Sequence, residues 1–183
     1  MSKKLRVSFS LLQAWEKGLY DQCALMYQHL ETPTNQGMKD GLYQHKIWEA
    51  EINKNKKLKI GKTEFIFKEP ICELKKYVPY NEYFDLSVVF DCIDEPILYE
   101  WKSGSSTNSM EYATKEQIPM YFLACELMQI PIKYALVVHY NQLLGESDIT
   151  VVHNTIHKRE LAKNYVDTFA SEIYLDFERR GIL

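Results

Sequence analysis

The chain has 183 residues, 46% of them hydrophobic and 26% charged, with a formal net charge of −3. That balance excludes a chain dominated by disorder, and the length is enough to bury a sizeable core in one domain. Its longest apolar stretches, such as Tyr134 to Tyr140, are far too short to span a bilayer, and the basic N-terminus leads into no apolar signal region. We therefore expect a cytoplasmic protein with no membrane association.

In chain order, the first expected element is a helix from Ser8 to about Leu30, capped by Ser8 or Ser10, with Leu11, Leu12, Trp15 and Leu19 at helical spacing. Glu31 to Gln36, with Pro33 and Asn35, reads as a loop. A second helix is expected from Gln36 to Asn53. Five lysines fall between Asn53 and Lys62, a run suited to a solvated loop or to phosphate contacts. The period then shortens. Lys62 to Lys68 and Ile71 to Val78 read as strands, followed by two stronger ones, Tyr83 to Cys92 and Ile97 to Lys102. The intervening Ile93-Asp94-Glu95-Pro96 is a tight turn, which makes these two a hairpin. A polar loop over Ser103 to Ser109 leads to a helix over Met110 to Met128. Strands at Lys133 to Tyr140 and Asp148 to His153 and a helix over Lys158 to Arg180 complete the chain. The order predicts an α/β fold with a mixed central sheet flanked by helices, in one domain: N-terminal helices (8–53), a catalytic meander and helix (62–128), and C-terminal strands with a helix (133–183).

The segment richest in chemistry is Asp85 to Lys102. Alternation on a strand puts Glu100 and Lys102 on one face and Trp101 on the other. Asp85, on the preceding arm, is expected beside Glu100. Two adjacent carboxylates repel unless a cation lies between them, and oxygen ligands of this kind suit Mg²⁺ or Mn²⁺. A neighbouring lysine can neutralise charge that develops on a phosphoryl group. An E-x-K pair on a strand is ordinarily a solvated, salt-bridged face. The order of several further motifs is what lifts this one.

Phe84-Asp85, then Ile97-Leu98-Tyr99-Glu100-Trp101-Lys102-Ser103-Gly104, resembles the central motif of the PD-(D/E)XK nuclease superfamily in its RecB-like branch. Gln117-Ile118-Pro119-Met120-Tyr121 is similar to that branch's Q-x-x-x-Y helix, and Gly41-Leu42-Tyr43-Gln44-His45 to its G-x-x-x-H helix. Ser8 to Trp15 is similar to its opening S-x-S-x-L helix. The four motifs span residues 8 to 121. The resemblance implies a restriction-endonuclease-like core and a DNA nuclease, with exonuclease action on ends or single strands. A structure-selective or RNA endonuclease and an inactive binding subunit are the alternatives. It implies His45, Asp85 and Glu100 as ligands of one or two Mg²⁺ or Mn²⁺ ions, with the Trp101 carbonyl as a further ligand and Lys102 as the catalytic lysine. Gln117 and Tyr121 would position Lys102 or a phosphate, and Glu73 resembles a position that is often acidic. CRISPR-associated members resemble this chain in size but carry an iron–sulfur cluster; no cysteine follows Cys125, so no cluster is expected. Without a P-loop in the chain, unwinding would fall to a helicase or another repair, recombination or CRISPR partner. His139 reads as a satisfied core histidine. His153 and His157 face one another only if that stretch is helical.

Overall fold

The computed structural model describes residues 4–28, 36–104 and 108–183. Residues 31–35 of the loop expected at 31–36, the end of the first expected helix and part of the 103–109 loop lie outside them. Strand β1 (Leu5–Val7) opens the chain and helix α1 (Phe9–Glu16) follows, its first turn capped by Ser8 Oγ, which accepts from the Leu11 N–H at 3.3 Å. The long first helix anticipated from the sequence is two. Gly18 takes φ +74, and the Leu19 N–H turns back to the Ala14 carbonyl at 2.9 Å, closing α1 before α2 (Tyr20–Tyr27) begins.

Helix α3 (Gln36–Asn55) runs two residues past its expected end. The lysine run after it is no loop. It enters β2 (Lys57–Ile60), which pairs with β3 (Thr63–Ile66) as a separate two-stranded sheet. Lys57 and Lys59 are exposed there, while Leu58 and Ile60 are buried, the period-2 alternation of a half-buried strand. The main sheet adds β4 (Ile71–Pro79), β5 (Phe84–Asp94), β6 (Ile97–Gly104), β7 (Tyr134–Asn141) and β8 (Glu146–His153). The helix expected over 110–128 is broken at Thr114 into α4 (Ser109–Ala113) and α5 (Gln117–Leu127); α6 (Ile156–Arg179) closes the chain. His153 ends a strand while His157 starts a helix, so the two do not share a helical face.

The sheet is mixed, in the order β1-β5-β6-β7-β8 with β4 also on β5. Strand β5 is its hub. One edge pairs with β4 along most of its length; the other is divided between β1, which takes residues 84–86 in parallel, and β6, which takes 92–94 antiparallel. Residues 87–91 lie between these two partners, so the sheet opens a notch there. Helices α1, α5 and α6 cover one face. α5 is apolar all round and buried from Ile118 to Cys125, and α6 contributes a stripe of Ala162, Val166, Ala170, Ile173 and Phe177. On the other face a second cluster joins Trp48 and Ile52 of α3 to Phe65, Tyr99 and Trp101. Among the described residues α3 and the second cluster cover this face only in part, away from the β1, β4 and β5 region.

Candidate metal centre

The hairpin register decides which aspartate faces Glu100. A two-residue turn, Glu95-Pro96, sets Asp94 opposite Ile97 and Cys92 opposite Tyr99. The next position places Asp91 across from Glu100. Asp85 lies six residues earlier on β5, about 20 Å away at the rise of a strand. There it is held by Lys4 at 3.2 Å and pairs in register with Arg6 of β1. The expected meeting of Asp85 with Glu100 and His45 is therefore corrected to Asp91. Counting back from the turn would have found it in the sequence.

Asp91 stands where the β5–β6 ladder ends. Its Oδ2 accepts the Trp101 N–H at 2.8 Å, so a carboxylate takes the place of a strand partner at the notch. The other ligand atoms converge from α3 and β4. His45, Glu73 and Asp91 each offer an atom within 4.8 Å of the others, and His45 Nδ1 is 3.8 Å from Asp91 Oδ1. The second core aims the imidazole: His45 stacks on Trp48, which meets Trp101 edge-on at 6.3 Å. Gly41, one turn before His45, faces β6, where a Cβ would lie 3.6 Å from Ser103 Oγ, an ordinary contact that does not itself require glycine. Glu73 has φ +50 and sits opposite Asp91, where the β4–β5 pairing skips a position. A left-handed glutamate in mid-strand is strained, and such strain persists where the surroundings over-determine it. Here the kink turns a carboxylate into the cluster. From the sequence Glu73 only resembles an often-acidic position, because strand alternation contains no hint of the kink.

Glu100 is 2% exposed, and its Oε2 is buried without a hydrogen-bond partner among the described residues. Burial, then the adjacent Asp91, pushes its carboxyl up to about 7. Burial likewise raises Asp91 to about 6, although Lys102 and the Trp101 N–H pull it down. Glu73 is raised by burial and then by Glu49. Burial and Lys102 lower His45, which keeps the imidazole neutral, as a metal ligand must be. Raised acids, a neutral imidazole and an orphaned buried oxygen form a donor set short of positive charge. The residues fit a hard divalent cation.

Lys102 bonds Glu100, and Asp91 lies near; burial lowers its ammonium, but these acids outweigh the loss and its pKa ends raised. Its second contact is Gln117 Oε1 at 3.4 Å. The amide's orientation follows from its own anchor. The Tyr121 hydroxyl donates to the Val89 carbonyl at 2.7 Å and so can only accept from Gln117 Nε2 (2.8 Å), which leaves Oε1 for the lysine. Glu100, Lys102, Gln117 and Tyr121 thus stand next to one another. His139 is buried but only half satisfied. Its Nδ1 meets Asp148 at 3.0 Å, while Nε2 has no partner among the described residues.

No protein-family model matches this chain, and no curated protein matches it by sequence. Solved structures do match in fold. An alkaline exonuclease, LHK-Exo from Laribacter hongkongensis, is similar with a TM-score of 0.63 at 14% identity, over 96% of this chain and 91% of that one. The protein SSO0001 is similar with a TM-score of 0.59 at 11% identity, over 96% and 78%. LHK-Exo in complex with dAMP gives 0.57 at 14% identity, over 94% and 90%. The chain shares the mixed-sheet fold of these proteins.

Proposed function

We propose that this protein is a divalent-metal-dependent nuclease that hydrolyses DNA phosphodiester bonds, acting on ends or single strands, and that it belongs with the RecB-like PD-(D/E)XK enzymes. The observation that carries the reading is the convergence of His45, Glu73 and Asp91 beside a buried Glu100 and Lys102. The likeness in fold to an exonuclease, one form of it solved with dAMP, supports DNA as the substrate. His45, Glu73, Asp91 and Glu100 would hold Mg²⁺ or Mn²⁺, with the Trp101 carbonyl as a proposed further ligand. Such a cation acts as a Lewis acid, lowering the pKa of water and polarising a phosphoryl oxygen.

The chain's own groups do the rest. Lys102 presents its ammonium to the phosphoryl group, where negative charge grows in the transition state. Gln117, oriented by Tyr121, fixes the Lys102 rotamer. Glu100 anchors the lysine from below and, while no cation neutralises it, retains a proton up to about pH 7. No described helix is long and apolar enough to cross a membrane.

Purified protein should degrade linear or single-stranded DNA with Mn²⁺ and stop in EDTA. Lys102→Ala should lower the rate by roughly 10²-fold or more, the scale of one lost electrostatic stabiliser. Unchanged cleavage by that variant, or cleavage that persists in EDTA, would sink the assignment.

A further inference from the structure

A cavity of about 570 Å³ lies apart from the metal centre. It lies where β1, β4 and β5 run side by side, with the start of α1, the end of α2 and Ile182 forming the rest of its wall, and the sheet side brings Arg6, Lys75, Tyr77, Asp85 and Ser87, with Lys4 just before β1. Lys4 is matched by Asp85 at 3.2 Å. Arg6 and Lys75 are exposed and, among the described residues, meet no carboxylate. Both lean instead on one ring, the Arg6 guanidinium 4.4 Å and the Lys75 ammonium 5.5 Å from the Tyr77 centroid. Tyr77 is itself 44% exposed. Among the described residues, an acidic protein thus keeps two cations without acid partners around a half-exposed aromatic ring, in a concave surface.

The strands that build this cavity also lead out of it. Lys75 follows Glu73 by two residues on β4, and Ser87 precedes Asp91 by four on β5, about 13 Å along the strand. That is a distance of a few nucleotides from the metal centre.

We propose that this face is a track for single-stranded nucleic acid, with Tyr77 as a base-stacking platform and Arg6 and Lys75 as phosphate contacts, delivering the strand to the metal centre. The chemistry favours a single strand because stacking on Tyr77 needs an exposed base face, which a duplex hides. The direction of delivery rests on the nuclease reading above; the binding does not.

The test is fluorescence anisotropy of the full chain in EDTA, so that no strand is cut, with labelled dT12, rU12 and a 12-base-pair duplex. Single strands should bind more tightly than the duplex. Tyr77→Ala should weaken dT12 binding by roughly tenfold, within the range for one stacked base, while Tyr77→Phe keeps most of the affinity. Arg6→Ala with Lys75→Ala should flatten the dependence of log affinity on log salt by about 0.7 per lost contact. All three sites are on the surface, and a thermal melt of each variant establishes that it is folded. Equal binding of duplex and single strand, or unchanged affinity and salt slope in the Arg6/Lys75 variant, would overturn the track. Comparable dT12 and rU12 affinities are expected, because stacking and phosphate contacts read neither sugar; binding confined to rU12 would also overturn it. If cleavage fails with every metal yet these binding differences stand, the hydrolase reading falls and the track survives. Normal cleavage with unaltered binding in the variants gives the reverse.

Discussion

Replacing Glu100 with glutamine isolates the charge that the metal centre is built to neutralise. In the free protein the Glu100 carboxyl is raised from 4.5 to about 7, chiefly by burial. A carboxyl raised on folding contributes stability that is complete below its unfolded pKa and is lost as pH climbs through the folded one. Between about pH 4.5 and 7 the parent should therefore lose on the order of 3 kcal/mol from this group, at 1.36 kcal/mol per unit. Glutamine carries no charge to bury, so Glu100→Gln avoids that loss. Loss of the ion pair with Lys102 offsets part of the gain, although Asp91 remains beside the lysine. For a chain of this size about 1 kcal/mol moves Tm by 2–4 °C, so the variant should melt roughly 4–8 °C above the parent in EDTA at pH 8. At pH 4, where the acid is protonated in both states, the two should agree within about 2 °C. Mn²⁺ should then reverse the order at pH 8. The parent gains about 2.7 kcal/mol when the ion is at a hundred times its dissociation constant, and the variant gains little. Differential scanning calorimetry across pH, with and without Mn²⁺, reads all of this. If the variant melts below the parent in EDTA by the same margin at pH 4 and pH 8, Glu100 is only a structural partner of Lys102 and the reasoning fails.

The register of β5 makes a second prediction. Titration calorimetry with Mn²⁺ should show Asp91→Asn and Glu73→Gln each losing at least tenfold in affinity, about 1.4 kcal/mol, while Asp85→Asn binds like the parent. Metal-binding loss in the Asp85 variant alone would reverse the assignment. Because Asp91 titrates near 6 and Glu100 near 7, the parent's Mn²⁺ affinity should rise steeply from pH 5.5 to 7.5 as protons cease to compete, and level off above. A pH-independent affinity would contradict burial as the source of those shifts. Gln117→Glu cannot donate to Tyr121, whose hydroxyl is committed to Val89, and it sets a carboxylate against Lys102. The rate should fall roughly tenfold or more with KM little changed, measured by steady-state kinetics; an unchanged rate would mean that the relay does not hold the lysine. Trp48→Ala should cost about 3–5 kcal/mol in chemical denaturation by emptying the second core beneath His45.

Much of the molecule is written locally. The β5–β6 hairpin follows from its β-branched runs and its turn, and the sharing of a face by Glu100 and Lys102 follows from strand alternation. The i, i+4 spacing of Gln117 and Tyr121 likewise puts them on one helical side. These relations span a few residues and depend on backbone geometry alone. Breaks within helices were harder to see, because Gly18 and the Thr114 interruption act through a single residue against a continuing apolar pattern. The choice between Asp85 and Asp91 was legible in the turn but depended on register, and on β5 each aspartate is acceptable to a strand. What only the tertiary structure decided is convergence. His45 reaches the centre because α3 packs Trp48 onto Trp101, 53 residues away in the chain, and Glu73 because β4 kinks opposite Asp91. Neither contact leaves a periodic trace, since long-range packing and a strained dihedral are fixed by the surrounding core and not by neighbours in sequence.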